Sequence, residues 1–282
     1  MDPHTYCQEK AAASGSSFYY SFRFLPPERR RAITAFYAFC REVDDVADEC
    51  RDADLARAKL AWWRDEVARL YAGRPEHPAT RALAEAIGPF HLPEDAFGQI
   101  IDGMEMDLGT VRYADFKQLN LYCHRAAGVV GEVAALIFGS TVDKPIDRAT
   151  LKYANRLGLA FQLTNIIRDV GEDARRNRIY LPQDELAKHG VTEADVLAGR
   201  MTENFRRLME FQYQRATRTY AEALALLPEA DRKAQRPGLV MAAIYRALLE
   251  EIRADGFRVL DRRTSLTPLR KLWIAWRTWV TA

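Results

Sequence analysis

Three features of the sequence predict an all-α fold. Apolar residues recur at spacings of three and four along most of the chain, sustained period-two alternation is absent, and β-branched runs are few. The pattern predicts about ten helices joined by short loops. With no low-complexity linker and no internal repeat, residues 1–282 are expected to form one domain.

The first strong helix starts after Pro26-Pro27, where proline suits a helix start, and runs to Cys50. Ile33, Phe36, Cys40, Val43 and Ala47 give it one apolar stripe. "DADLARAKLAWWRDEVARLYAG" opens on an Asp cap and closes on Gly. "PEDAFGQIIDGMEMDL", "DFKQLNLYCHRAAGVVGEVAALIFG" and "DRATLKYANRLGLAFQLTNIIRDVGEDA" follow. Later helices are expected from about Glu193 to Leu227, from about Pro237 to Gly256, and through "PLRKLWIAWRTWV".

A formal net charge of +2 does not argue for nucleic acid, and the four cysteines lack CxxC spacing, which reads as free thiols in a reducing compartment. The N-terminus has no signal-peptide core, and the most apolar run, "AAGVVGEVAALIFG", is interrupted by Glu132. The expected location is the cytoplasm.

Two helices carry acid where burial is expected. "CREVDDVADEC" sets Asp44 and Asp48 four apart, with Asp45 and Glu49 beside them, and "QLTNIIRDVGED" sets Asp169 and Asp173 four apart. Positions i and i+4 share a helix face. Tyr37, Arg41, Asp44 and Asp48 make one polar stripe; Gln162, Asn165, Asp169 and Asp173 make another. Each adjoins an apolar stripe, Phe36, Phe39, Val43 and Val46 on the first and Leu163, Ile166, Ile167 and Val170 on the second. Glu49 and Glu172 read as solvated. The aspartates do not, because Asp is the poorer helix former and a solvated face would favour Glu. Convergent buried carboxylates need cations, and oxygen-only ligands select hard ones such as Mg²⁺, which completes its octahedron with water and phosphate. An EF-hand loop and the Glu-x-x-His of di-iron bundles are absent.

These motifs together resemble the squalene/phytoene synthase family, the head-to-head prenyl synthases. "CREVDDVADE" and "NIIRDVGED" resemble its paired D-x-x-x-D motifs. "YCHRAAGVVGEV", "RNRIYLP" and "SGSSFYYSFRFLPPERRRAI" resemble the segments around them, in the same order over nearly the whole chain. The resemblance implies an isoprenoid-synthase-type helical bundle with a central active-site cavity. It implies Mg²⁺ held by Asp44, Asp48, Asp169 and Asp173, with Asn165 as a neutral oxygen ligand, bridging the diphosphates of two farnesyl diphosphate molecules. Arg41 would grip a diphosphate, or else pair within its helix. Tyr37 and Tyr122 would line the site or serve as core aromatics. Gln162, Arg178, Tyr180 and Arg263 would bind or close over substrate, as would Ser14 and Ser17, Ser14 standing where some members have His. Arg175 and Arg176 read as solvated. The bare face of Ala126, Ala127, Gly128 and Gly131 would either pack a helix closely or leave room for a prenyl chain lined by Phe18, Val129, Leu159 and Leu163.

Within the family, the N-terminal string is most like bacterial hopanoid-pathway presqualene diphosphate synthases. That implies condensation of two farnesyl diphosphates, no use of NADPH, and a product passed to downstream enzymes. Phytoene, dehydrosqualene or full squalene synthesis is the alternative, and a non-catalytic helical scaffold the alternative of another class. At the C-terminus, Leu272, Trp273, Trp276 and Trp279 recur at helical spacing among Arg270, Lys271 and Arg277. Terminal helices ordinarily pack such a stripe on the core; the alternative is an interfacial helix touching a membrane surface.

Overall fold

The computed structural model describes residues 1–13, 22, 24–50, 52–109, 111–141 and 146–282. In chain order the helices are α1 (Pro3–Ala13), α2 (Pro27–Glu49), α3 (Ala53–Tyr71), α4 (Pro78–Ile87), α5 (Glu94–Glu105), α6 (Phe116–Gly139), α7 (Arg148–Arg175), α8 (Gln183–Lys188), α9 (Glu193–Leu197), α10 (Glu203–Leu226), α11 (Arg236–Ala254) and α12 (Pro268–Thr281). The fold is all-α, as expected; the β pairing among the described residues is one parallel bridge, Arg112 to Ile179.

Local chemistry sets the helix starts. Asp52, Asp115, Asp147, Thr202 and Thr267 each accept backbone N–H bonds from the first turn they cap. Proline opens α2, α4 and α12. The expected helices are all present, with one difference: the stretch from Glu193 divides into α9 and α10, because Thr202 caps a fresh helix after a turn that follows Leu197. Three further helices carried weaker sequence signals. α1 has apolar residues of small size, α8 spans six residues, and α4 is capped by a histidine, His77, in place of a usual cap residue. Buried Glu66 ties down that last junction by accepting from the backbone N–H groups of Glu76 and His77, both at 2.8 Å, and from the Thr80 hydroxyl.

The apolar residues gather into two cores. One unites α1 to α5 with Val129, Val133, Ile137 and Phe138 of α6. The other unites α7 to α11 with Tyr122, Cys123 and Ala135 of α6. The expected apolar stripe of α2 lies in the first core through Ile33, Phe36, Val43 and Ala47; that of α7 lies in the second through Leu163, Ile166, Ile167 and Val170. α6 serves both cores. By length and composition it could cross a membrane, yet it packs tightly on α7 and bears Glu132, whose carboxylate accepts from Asn155 of α7 at 2.7 Å.

A π turn over His124–Gly128 interrupts α6 just after Tyr122. The bare face that follows is filled by helix, not left open for a prenyl chain: a Cβ on Gly131 would strike the Ala154 carbonyl, and one on Gly158 of α7 the Ala127 carbonyl. Val129, Leu159 and Leu163 are likewise buried in the cores, and Phe18 lies outside the described residues. Gly158→Ala should therefore destabilise the chain by about 3 kcal/mol or more, the upper end for overpacking, since backbone and not a flexible side chain must yield. Urea unfolding checks this, with a lowered midpoint at unchanged slope as the expected result.

Candidate active site

The two acid-bearing helices, α2 and α7, belong to different cores, and their polar stripes meet at the seam between them. Asp48 and Asp173 lie close enough to influence each other's charge, as do Asp44 and Asp107. What neutralises this seam is arginine. Arg41 pairs within α2, with Asp44 and with Asp45 at 2.6 Å. Arg178 donates to Asp48 at 2.8 Å and to the Ala47 carbonyl at 2.8 Å, and Arg176 pairs with Asp48 at 3.2 Å. Arg168 holds Asp169 bidentately, and Arg263 reaches the same carboxylate at 2.8 Å and Glu172 at 3.3 Å. Arg176 and Glu172, read from the sequence as solvated, are thus exposed but paired.

Two straps deliver these arginines. After α7 the chain turns at Asn177, with φ of 56°, and runs beside residues 111–114; the Ile179 N–H donates to the Val111 carbonyl at 3.1 Å and the Gln183 N–H to the Tyr113 carbonyl at 2.9 Å. That pairing places Arg178 on Asp48 and Tyr180 inside. The second strap, residues 258–263, lies on α7 at Gly171, whose N–H donates to the Val259 carbonyl at 3.2 Å; a Cβ there would stand 2.5 Å from that oxygen and 2.7 Å from the Leu260 oxygen. The glycine between the two acids of "DVGED" therefore lets Arg263 reach Asp169.

Behind the carboxylates sits an element that sequence reasoning missed. Asp107, 6% exposed, accepts from Tyr122 at 2.8 Å and from Tyr180 at 2.7 Å. Tyr113 completes a cluster of three rings with centroids 5.3, 5.6 and 6.1 Å apart, and its hydroxyl is buried with no hydrogen-bond partner among the described residues. The signal for Asp107 was its register: it continues the buried line Phe97, Ile100, Met104 of α5 at helical spacing. The hydroxyl of Tyr122 is thus occupied by Asp107, with Gln162 at 3.3 Å, and does not stand free in the site. Tyr37 packs its ring beside Phe22 at 6.4 Å. Arg168 and Tyr245, which interact with each other across the second core, also belong to the site and were not singled out by sequence. Ser14 and Ser17 lie outside the described residues.

The electrostatics separate the acids. Burial pushes Asp173 up to about 7, reinforced by Asp169. Burial likewise pushes Asp44 up to about 6, against Arg41, and Asp107 up to about 6, against the two phenols. Burial acts on Asp169 too, but the guanidinium groups of Arg168 and Arg263 outweigh it and hold that carboxyl below its ordinary value.

A crevice lined by Ile166, Val170, Asp173, Arg178 and Tyr180 opens at this seam. Among the described residues no three acidic, histidine or cysteine side chains converge into a ready-made metal cluster. The donor set nonetheless fits a hard cation. Among the described residues, the Asn165 side-chain oxygen is buried without a hydrogen-bond partner and the Asp173 carboxylate is in no hydrogen bond or ion pair, although the Asp173 backbone carbonyl accepts from the N–H groups of Arg176 and Arg178, both at 2.9 Å. Asn165, Asp169 and Asp173 repeat every four residues on one face of α7, so three oxygen ligands line up toward the seam.

Comparison with known proteins settles the family. A profile of squalene/phytoene synthase matches residues 11–270. The chain belongs to the squalene/phytoene synthase family, the head-to-head prenyltransferases. Phytoene synthase from Arthrospira platensis is 36% identical over 279 residues, covering 96% of this chain and 90% of that one. Phytoene synthase 2 of Solanum lycopersicum is 37% identical over 267 residues, covering 94% and 86%. The chain spans 63% of phytoene synthase 3 from Zea mays, so it is shorter than several plastid relatives. Among solved structures, a dehydrosqualene synthase in complex with ligand superposes with a TM-score of 0.86 at 28% identity, covering 99% of this chain and 96% of that one. Squalene synthase HpnC from Alicyclobacillus acidocaldarius gives 0.80 at 29%, covering 90% and 94%.

The raised Asp173 carboxyl has a measurable consequence. Its folded value of about 7 lies above the unfolded value, so the folded state binds the extra proton in between. In the absence of metal, stability should fall as pH rises from about 4 to about 7 and level off above, Asp44 and Asp107 adding to the same trend. Asp173→Asn should remove part of that slope and, at pH 8, stabilise the chain by roughly 1–2 kcal/mol after allowance for solvent screening. Urea titrations across pH check the sign.

Proposed function

We propose that the chain condenses two farnesyl diphosphates head to head, releases one diphosphate, and stops at presqualene diphosphate without reduction. The observation that carries this reading is the seam itself: unpartnered oxygen ligands of Asn165 and Asp173 facing an acidic helix, with Arg41, Arg168, Arg178 and Arg263 around them. Asp44, Asp48, Asn165, Asp169 and Asp173 would hold Mg²⁺, which supplies charge neutralisation for a departing diphosphate. The arginines present guanidinium forks to diphosphate oxygens. As the C1–O bond of one donor breaks, positive charge develops at C1, and the C2=C3 bond of the other donor attacks it; the tertiary cation left at C3 closes to the cyclopropane as that same C1 loses a proton to the departing diphosphate. The ring faces of Tyr113, Tyr122 and Tyr180 stabilise that charge, and Asp107 fixes the orientation of two of them. The resemblance of the N-terminal string supports the presqualene product and a cytoplasmic setting. The identity to curated phytoene synthases supports a second reading, condensation of C20 donors to phytoene.

Incubation with Mg²⁺ and either farnesyl or geranylgeranyl diphosphate, without NADPH, followed by product identification, separates the two. A cyclopropylcarbinyl C30 diphosphate is the expected product; phytoene from the C20 donor alone would select the second reading. Asp48→Asn and Asp173→Asn should fold and lose at least about a hundredfold in turnover, roughly 2.7 kcal/mol at the barrier. A fully active double variant would refute the metal assignment. Mg²⁺ together with an unreactive thio-analogue of farnesyl diphosphate should raise the melting temperature far more than either alone, by linkage worth about 2.7 kcal/mol at one hundred times Kd.

A further inference from the structure

The C-terminal helix packs one of its three tryptophans, Trp279, on the core and leaves Trp273 and Trp276 exposed. Ala275 is buried, and Ile274 and Trp279 lean on the second core. The opposite face carries Leu269, 79% exposed, Leu272, Trp273 at 55%, Trp276 at 60% and Val280 at 63%. These five recur at spacings of three and four, so they form one continuous stripe along α12. Two exposed indoles in one apolar stripe are not the scatter of single hydrophobic residues expected on a surface.

We infer that this face of α12 is a docking surface for an anionic membrane. The helix contains no acidic residue. Arg277 lies over the Trp273 ring at 5.3 Å and makes no ion pair among the described residues, so its charge is presented beside the stripe. Arg270 sits on the same side, held to Glu251 at 2.6 Å. Indoles flanked by cations suit the headgroup level of a bilayer, where the ring body is apolar and its N–H is wet. A second copy of the chain fits less well, because a two-fold contact through this stripe would bring the same cations of both copies together with no acid on the helix to separate them.

The helix also connects this face to the active site. Lys271, half-buried on its inner side, lies near enough to Arg168 and Arg263 to feel their charge. Those two arginines hold Asp169. The stripe thus lies on the outer side of a helix whose inner side borders the site where, on the function proposed above, prenyl chains enter and a C30 product leaves. Docking there would shorten their passage between bilayer and enzyme. The surface itself is argued from exposure and charge; its use rests on that function.

Flotation of the whole chain with vesicles of phosphatidylcholine containing phosphatidylglycerol, without substrate or Mg²⁺, tests the surface. The chain should float with anionic vesicles at low salt and less so at high salt or with phosphatidylcholine alone. Trp273→Ala/Trp276→Ala should bind at least about tenfold less, equivalent to ~1.4 kcal/mol, with an unchanged melting temperature. On the intact chain, lipids brominated in their acyl chains should quench tryptophan fluorescence. A chain left in the soluble fraction on anionic vesicles, a variant that floats equally well, or tryptophan-dependent dimerisation in place of flotation would each overturn the inference. Turnover is measured separately in detergent. An active chain that does not float overturns the surface alone, and a floating chain without prenyl-transfer activity overturns the proposed function alone.

Discussion

Five carboxylates at the join of two apolar cores, Asp44, Asp48, Asp107, Asp169 and Asp173, are the constraint on which the rest of the site depends. Charge at such a place is untenable without a counter-charge, and in this chain arginines provide it. Arg178 has the central position. Burial works against its charge, but Tyr180, Asp48 and Asp107 outweigh that and raise its proton affinity further, and Asp44 and Asp173 feel it as well. One guanidinium thus faces both acidic helices, and its bonds to Asp48 and to the Ala47 carbonyl join the strap after α7 to α2.

The backbone around the seam is built to bring arginines there. Residues 177–184 run beside residues 111–114 because their N–H groups find carbonyls on Val111, Tyr113 and Ala114. The strap at 258–263 can touch α7 because Gly171 has no side chain. The arginines that the straps carry lie outside helices, whereas four of the five acids sit on α2 and α7, each helix anchored by an apolar stripe in its own core. These two helices hold four of the acids, and the loops hold most of the cations. A cation that binds the acids from solution therefore competes with groups on the less constrained parts of the chain.

Much of this was legible in the sequence. The i,i+4 aspartates, the polar stripes and their apolar neighbours follow from helical periodicity, and both stripes lie where that periodicity puts them. The register of Arg263 relative to Asp169 was not legible, since it depends on how a loop crosses Gly171. Asp107 stood near the end of the stretch read as helix and had no acidic partner at helical spacing; its role comes from two tyrosines distant in sequence. The glycines of α6 were ambiguous because close packing and open space call for the same small residues, and only the opposing carbonyls of α7 decide between them. For α12, an amphipathic pattern identifies two faces but not which one a neighbour covers, and the indoles of Trp273 and Trp276 prove to be on the open side.

The pairing of Arg178 with Asp48 can be tested without substrate. A double-mutant cycle on unfolding free energy, using Asp48→Asn, Arg178→Gln and the combined variant in metal-free buffer, isolates the interaction between the two charges. A coupling of about 1 kcal/mol or more is expected, because the guanidinium is largely shielded from water and serves several acids at once. Additivity within about 0.3 kcal/mol would contradict the view that arginine, held by the strap, is what makes the acidic seam stable in the absence of metal.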